Sequence, residues 1–187
     1  MIFGMTYFQI CLYFLVYSFG GWVVEVIFYA VALGKVINRG FLNGPVCPVY
    51  GFGVLSVFAL LNTIQGSGRQ MSDGMIFVFG IVLATAVELV AGWLLDVCFH
   101  ARWWDYSDIK WNLDGYICLP ASLVWGGLGY IAVRWGNVLS LDLLHLLPEL
   151  VMKILILVLL LFLCVDVFAS FMLLTGISRN PKQWEET

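Results

Sequence analysis

Charge is scarce in this chain: 11% of its 187 residues are Asp, Glu, Lys or Arg, against about a quarter in soluble domains. So few charged groups cannot form a water-facing shell, and a soluble fold is excluded. The nine basic residues are scattered and the net charge is −3, so no basic patch is available for nucleic acid. Histidine is nearly absent, with His100 and His145 alone. Neither belongs to an HExxH pair, and there is no GxSxG elbow or P-loop, which leaves nucleotide hydrolysis without residues. The five cysteines, Cys11, Cys47, Cys98, Cys118 and Cys164, show no CxxC or Cys/His spacing, and an odd number gives no disulfide framework. They read as small apolar packing residues, and neither metal nor cofactor is expected. The first residues carry no basic segment, and the apolar run after them exceeds the roughly 7–15 residues of a cleaved signal. It is therefore expected to be retained as a span.

Apolar residues are abundant, at 62% of the chain, with a mean hydropathy of +0.97. A helical span needs about 20 mostly apolar residues to cross a bilayer core about 30 Å thick. Five segments meet this, at about 5–33, 47–64, 73–99, 119–135 and 150–176. Before the last, the string SLDLLHLL suits a short interfacial helix at about 140–148. The expected fold is all-α and polytopic, with five transmembrane helices in a single integral membrane domain over 1–187. Basic residues near helix ends favour the cytoplasm. An external N-terminus puts Lys35, Arg39, Arg102, Lys110, Arg179 and Lys182 inside, against Arg69, Arg134 and Lys153 outside. The C-terminus is then cytoplasmic.

Two pairs of strings match without gaps. GWVVEVIFYA from Gly21 aligns with GWLLDVCFHA from Gly92, setting Glu25 opposite Asp96. GFLNGPVCPVYG from Gly40 aligns with GYICLPASLVWG from Gly115, setting Pro45 opposite Pro120 and Tyr50 opposite Trp125. Hydrophobicity alone does not reproduce Gly, Pro and Trp at fixed offsets. The pattern predicts two parallel two-helix repeats, about 5–64 and 73–135, related by an axis along the membrane normal, plus a fifth helix.

Acids inside spans are costly, at about 2.5–3.5 kcal/mol for a central position on insertion scales. Glu25, Glu88, Asp96 and Asp166 lie inside the expected spans, Glu88 nearer mid-depth and the other three in the cytoplasmic half, with no base comparably deep. One reading is a polar cavity at the repeat axis, where Glu25 and Asp96 face each other and bind a cation, protons or a cationic solute. The other has both acids at the inner interface, paired with Arg39 or Arg102, and Asp166 bonded between helices. The insertion HARWWDYSDIKWNLDG mixes Arg102, Asp105, Asp108, Lys110, Asn112 and Asp114 with Trp103, Trp104, Tyr106 and Trp111. It serves either as an interfacial aromatic belt or as a loop binding a headgroup or solute over the helix ends. The Gly/Pro-rich helix entrances expose unpaired amides suited to an anion, with Asn38, Arg39 and Asn43 as the polar candidates. They equally suit a first helical turn and close packing.

The strings GGWVVEVIFY, NRGFLNGPVCPVYGFG, HARWWDYS and WNLDGYICLP, in this order, resemble the bacterial membrane family called putative ABC-transporter type IV, or CmpB-like permeases, over roughly 7–135. The resemblance implies a bacterial inner-membrane protein engaged in transport and carries over no catalytic residue. ATP hydrolysis would come from a separate ATPase subunit, with the insertion as its contact. Five spans are few for a complete pathway, so a homo-oligomer or larger assembly in the lipid bilayer is expected. The leading expectation is a permease or permease subunit. An intramembrane enzyme acting on lipid headgroups through an acid pair, or an accessory membrane protein, are the alternatives.

Overall fold

The computed structural model describes residues 5–35, 38, 40–136 and 148–177. Helix α1, Tyr7–Leu33, starts at Thr6, whose hydroxyl accepts from the Gln9 amide while the Gln9 side chain accepts from the Thr6 amide. This capping box satisfies two donors that the first turn leaves open. Helix α1 ends at Gly34 in the left-handed conformation (φ 66°), which glycine adopts at little cost. Helix α3, Asp73–Phe99, is built alike: Ser72 accepts from the Met75 amide, and left-handed His100 closes the far end. Each has 27 residues and so is about 40 Å long, more than a bilayer core.

Helix α2, Pro48–Gly66, begins with proline at its first turn, where the missing N–H has no intrahelical acceptor to lose. Helix α4, Leu119–Ile131, has 13 residues and continues into a π-helical turn, Ala132–Gly136. The Tyr17 hydroxyl donates to the Ala132 carbonyl there (3.2 Å). Helix α5 is Glu149–Ile177. Helices α1, α2, α3 and α5 are long and apolar enough to cross a membrane. The fourth expected span thus comprises a short α-helix and a π turn, and the interfacial helix at 140–148 falls on residues outside those described, apart from Pro148.

Helices α1 and α2 pack as one hairpin and α3 and α4 as another, and the hairpins meet along α2 and α3. Small residues let the backbones approach. A methyl group at Gly21 would enter the Tyr50 ring, one at Gly51 would enter Ser18 and Phe14, and Gly80 lies against the backbone of Gly126. An apolar core of Met5, Tyr13, Val57, Phe58, Leu61, Met71 and Ile76 fills one end. Helix α5 lies against α1 through Leu12, Met152 and Ile156, with Leu157, Leu161, Phe162 and Phe168 exposed on its outer face.

The segment between α3 and α4 folds into a two-stranded hairpin. Strands β1 (Asn112–Leu113) and β2 (Ile117–Cys118) pair antiparallel, with Asn112 opposite Cys118 and Leu113 opposite Ile117. Left-handed Asp114 and Gly115 (φ 49° and 74°) make its turn. This hairpin is an addition to the all-α expectation, since two-residue strands are too short for any alternation to show in sequence.

Candidate functional site

Distance from the helix end separates the acids. Asp96 lies three residues before Phe99, whereas its repeat partner Glu25 lies eight before Leu33 and Glu88 eleven before Phe99. At about 1.5 Å per residue, Asp96 is close to the mouth of α3 and the other two are deep. Glu88 is 5% exposed.

Each acid therefore has its own partners. Glu25 accepts from the Tyr50 hydroxyl at 2.5 Å. Glu88 accepts from the Tyr106 hydroxyl at 3.0 Å through Oε1. The Trp125 indole lies beside Glu88 and acts on its carboxyl group as a loose donor, although neither its buried Nε1 nor Glu88 Oε2 makes a well-formed hydrogen bond. Tyr50 and Trp125, at aligned positions of the two matching strings, meet edge to face with centroids 5.2 Å apart. Glu25 lies within electrostatic reach of Glu88. Two carboxyl groups, two phenols and an indole thus share one polar cluster between the hairpins, Glu88 buried and the other four half-buried. Thr85 Oγ1, one turn before Glu88, is buried and unpartnered too.

Asp96 belongs to the loop. Its Oδ2 accepts from the Tyr116 hydroxyl (2.6 Å) and from Arg102 Nε (3.2 Å). The same guanidinium donates to the Asp114 carbonyl (2.9 Å), lies 3.7 Å from Asp105 and stacks on the Tyr116 ring at 4.6 Å. Pairing of Asp96 with Arg102 is thus the arrangement found, and Arg39 falls outside the described residues. The bond from Tyr116 to Asp96 pushes the Tyr116 phenol above its ordinary value.

The other loop candidates serve the loop's own fold. Asp105 accepts from the Ser107 hydroxyl (2.5 Å) and amide (2.9 Å), and these bonds hold its carboxyl below the usual range, with Arg102 assisting. Asn112 donates to the Ser107 and Ile109 carbonyls and accepts from the Gly115 amide. Trp104 donates to the Tyr116 carbonyl and Trp103 to the Gly40 carbonyl. Tyr106 is the exception: it reaches inward to Glu88, and burial, then the Glu88 charge, push its phenol upward.

Asp166 anchors α5. It accepts from the Asn43 amide (3.2 Å), the Asn43 side chain (3.1 Å) and the Gly44 amide (2.8 Å), while Asn43 also donates to Ser170 (2.9 Å). Asn38 accepts from the Trp22 indole and donates to the Asn43 carbonyl. Asn38, Asn43 and Asp166 therefore form a second network, apart from the cluster around Glu88. Among the described residues no group of three or more His, Cys, Asp or Glu side chains is placed to hold a metal ion. Two surface hollows, one at Cys98, Phe99, His100, Leu174 and Thr175 and one along α5, do not reach the cluster.

Sequence reasoning named Glu25, Glu88 and Tyr106 but not Tyr50 and Trp125. Their signal was present, since both are bulky aromatics at matched positions of the repeat, each followed by glycine. A family model described as Putative ABC-transporter type IV matches residues 12–171. No curated protein and no solved structure matches the chain.

Proposed function

Since the chain belongs to the putative ABC-transporter type IV family, we propose that this membrane protein is a permease, or the permease subunit of a transport system. Its working site is the cluster of Glu25, Tyr50, Glu88, Tyr106 and Trp125, and the species handled there is a proton or a cation. The observation that carries the reading is Glu88: a carboxyl group 5% exposed inside a span, held by the Tyr106 hydroxyl and the neighbouring Trp125 indole, within electrostatic reach of a second acid, Glu25, and with no basic partner among the described residues. An acid inside a span is expensive. A site that exchanges a proton or admits a cation gives a reason to keep two of them together.

In this reading the protein has five spans, and the 13 residues of α4 with the five of the π turn make the fourth. They approach the about 20 that a bilayer core requires. The two hairpins are the parallel repeats, supported by the packing of α1 on α2 and of α3 on α4, and by a proline in the first turn of both α2 and α4. The N-terminus lies outside a bacterial inner membrane and the C-terminus in the cytoplasm. Two of the three outward bases support this orientation by being ion-paired, Arg134 with Asp73 and Lys153 with Glu149. The acid site then lies toward the cytoplasmic half, beneath the loop. With no nucleotide-hydrolysing motif in the chain, ATP hydrolysis falls to a separate subunit, and the permease works as an oligomer.

The test is purification from native membranes under mild detergent, followed by reconstitution into liposomes. Co-purification of an ATP-hydrolysing subunit and ATP-dependent movement of protons or cations are expected. A chain that purifies intact without such a subunit and moves neither species contradicts the reading.

A further inference from the structure

Of the five aromatics in the loop between α3 and α4, Trp103, Trp104, Tyr106 and Tyr116 are tied inward by the hydrogen bonds described above. Trp111 is 76% exposed, with Ile109 and Leu113 exposed beside it on the same hairpin. Its backbone is left-handed (φ 65°), an uncommon conformation for a bulky residue, and so the chain spends local strain to hold an indole facing outward. The Trp111 carbonyl accepts from the Leu119 amide at 3.0 Å, which fixes the tryptophan at the entrance of α4. Below it, Leu119 and Leu123 are exposed one turn apart on one face of α4. Exposed apolar residues of the loop thus adjoin exposed apolar residues at the entrance of α4.

We infer that the base of the hairpin is a membrane-interface anchor, with Trp111, flanked by Ile109 and Leu113, seated among the lipid headgroups. An indole suits that zone because its ring is apolar and its N–H finds a partner at the headgroup level. Charge does not supply the attraction. Lys110 stands between Asp108 and Asp114, and the segment also holds Arg102 and Asp105, so the loop is slightly acidic. Seating should accordingly be indifferent to anionic lipid and to salt. The anchor would hold the loop, and with it Tyr106, at fixed height over Glu88.

The test uses the full chain in phosphatidylcholine liposomes, comparing the native protein with Trp111→Phe, a change at an exposed ring that leaves the loop's hydrogen bonds in place. The emission lost in the variant belongs to Trp111. Lipids brominated close to the headgroup should quench that difference by about half or more, as expected for an interfacial indole, while aqueous iodide leaves it nearly unchanged. Addition of anionic lipid should alter neither result. If iodide quenches the Trp111 emission and bromines at every depth spare it, Trp111 stands in water, available to a soluble subunit, and the inference is overturned.

Discussion

The Tyr106 hydroxyl sits 3.0 Å from Glu88 Oε1, joining a residue of the extramembrane loop to an acid buried in α3. Removing the hydroxyl would take away the carboxyl group's one well-formed hydrogen bond and leave it the looser Trp125 contact. An orphaned buried acceptor costs about 1–3 kcal/mol. Tyr106→Phe should therefore lower the thermal unfolding midpoint in detergent by that equivalent, whereas Tyr7→Phe, at an exposed position, should leave it in place. Equal midpoints for the two variants would mean that the Tyr106 bond does not hold in the protein.

Glycine positions give a graded prediction. A Cβ at Gly21 enters the Tyr50 ring, whereas one at Gly92 meets Trp104 at 3.2 Å and Tyr116 at 3.3 Å, and one at Gly53 meets nothing within 4 Å. Overpacking costs typically about 1–3 kcal/mol. Gly21→Ala should destabilise most, Gly92→Ala less and Gly53→Ala least, when midpoints are compared. Gly21→Ala should also displace Tyr50 from Glu25, a change visible as altered Trp125 fluorescence.

The α5 anchor predicts a local effect. Asp166→Ala removes the acceptor for the Gly44 and Asn43 amides. Loss of a bond worth about 1.4 kcal/mol speeds exchange tenfold, so hydrogen exchange at these two amides should rise by about that factor. Exchange at Cys47, whose amide donates to the Ser18 carbonyl, should be unaffected. Protection retained at Gly44 would show that α5 is held by other contacts.

Acid should loosen the loop. The folded Asp105 carboxyl is held below its ordinary value of 3.8 by the Ser107 hydroxyl and amide, with Arg102 assisting. A depressed carboxyl contributes stability that is complete above the unfolded value and lost as pH falls through the folded one. Exchange at the Ser107 amide, corrected for its intrinsic pH dependence, should therefore be flat above the carboxylate range and rise below it. Asp105→Asn should abolish that rise.

Run length makes the four long spans legible in the sequence, and the cost of an intramembrane acid singles out Glu25 and Glu88, though with Asp96 and Asp166 beside them. Caps were legible too in principle, since Thr6 and Gln9 have the spacing of a capping box. The depth of Asp96 was not. The repeat aligns residues by identity, but α3 ends five residues sooner after its acid than α1 does, and this shift delivers Asp96 to Arg102 and Tyr116. Nor could the loop's use of its own polar groups be read. Arg102, Asp105 and Asn112 satisfy carbonyls and amides of a hairpin whose strands are two residues long, and so short a ladder leaves no periodic trace.

The central claim is that the cluster around Glu88 is the working site, with Asp96 a loop fastener. The most direct measurement compares Glu88→Gln with Asp96→Asn in proteoliposomes, recording proton or cation movement after circular dichroism has established native helicity for both. Glu88→Gln should abolish movement, while Asp96→Asn should retain most of it. Native movement in Glu88→Gln, or equal loss in both variants, would contradict the claim.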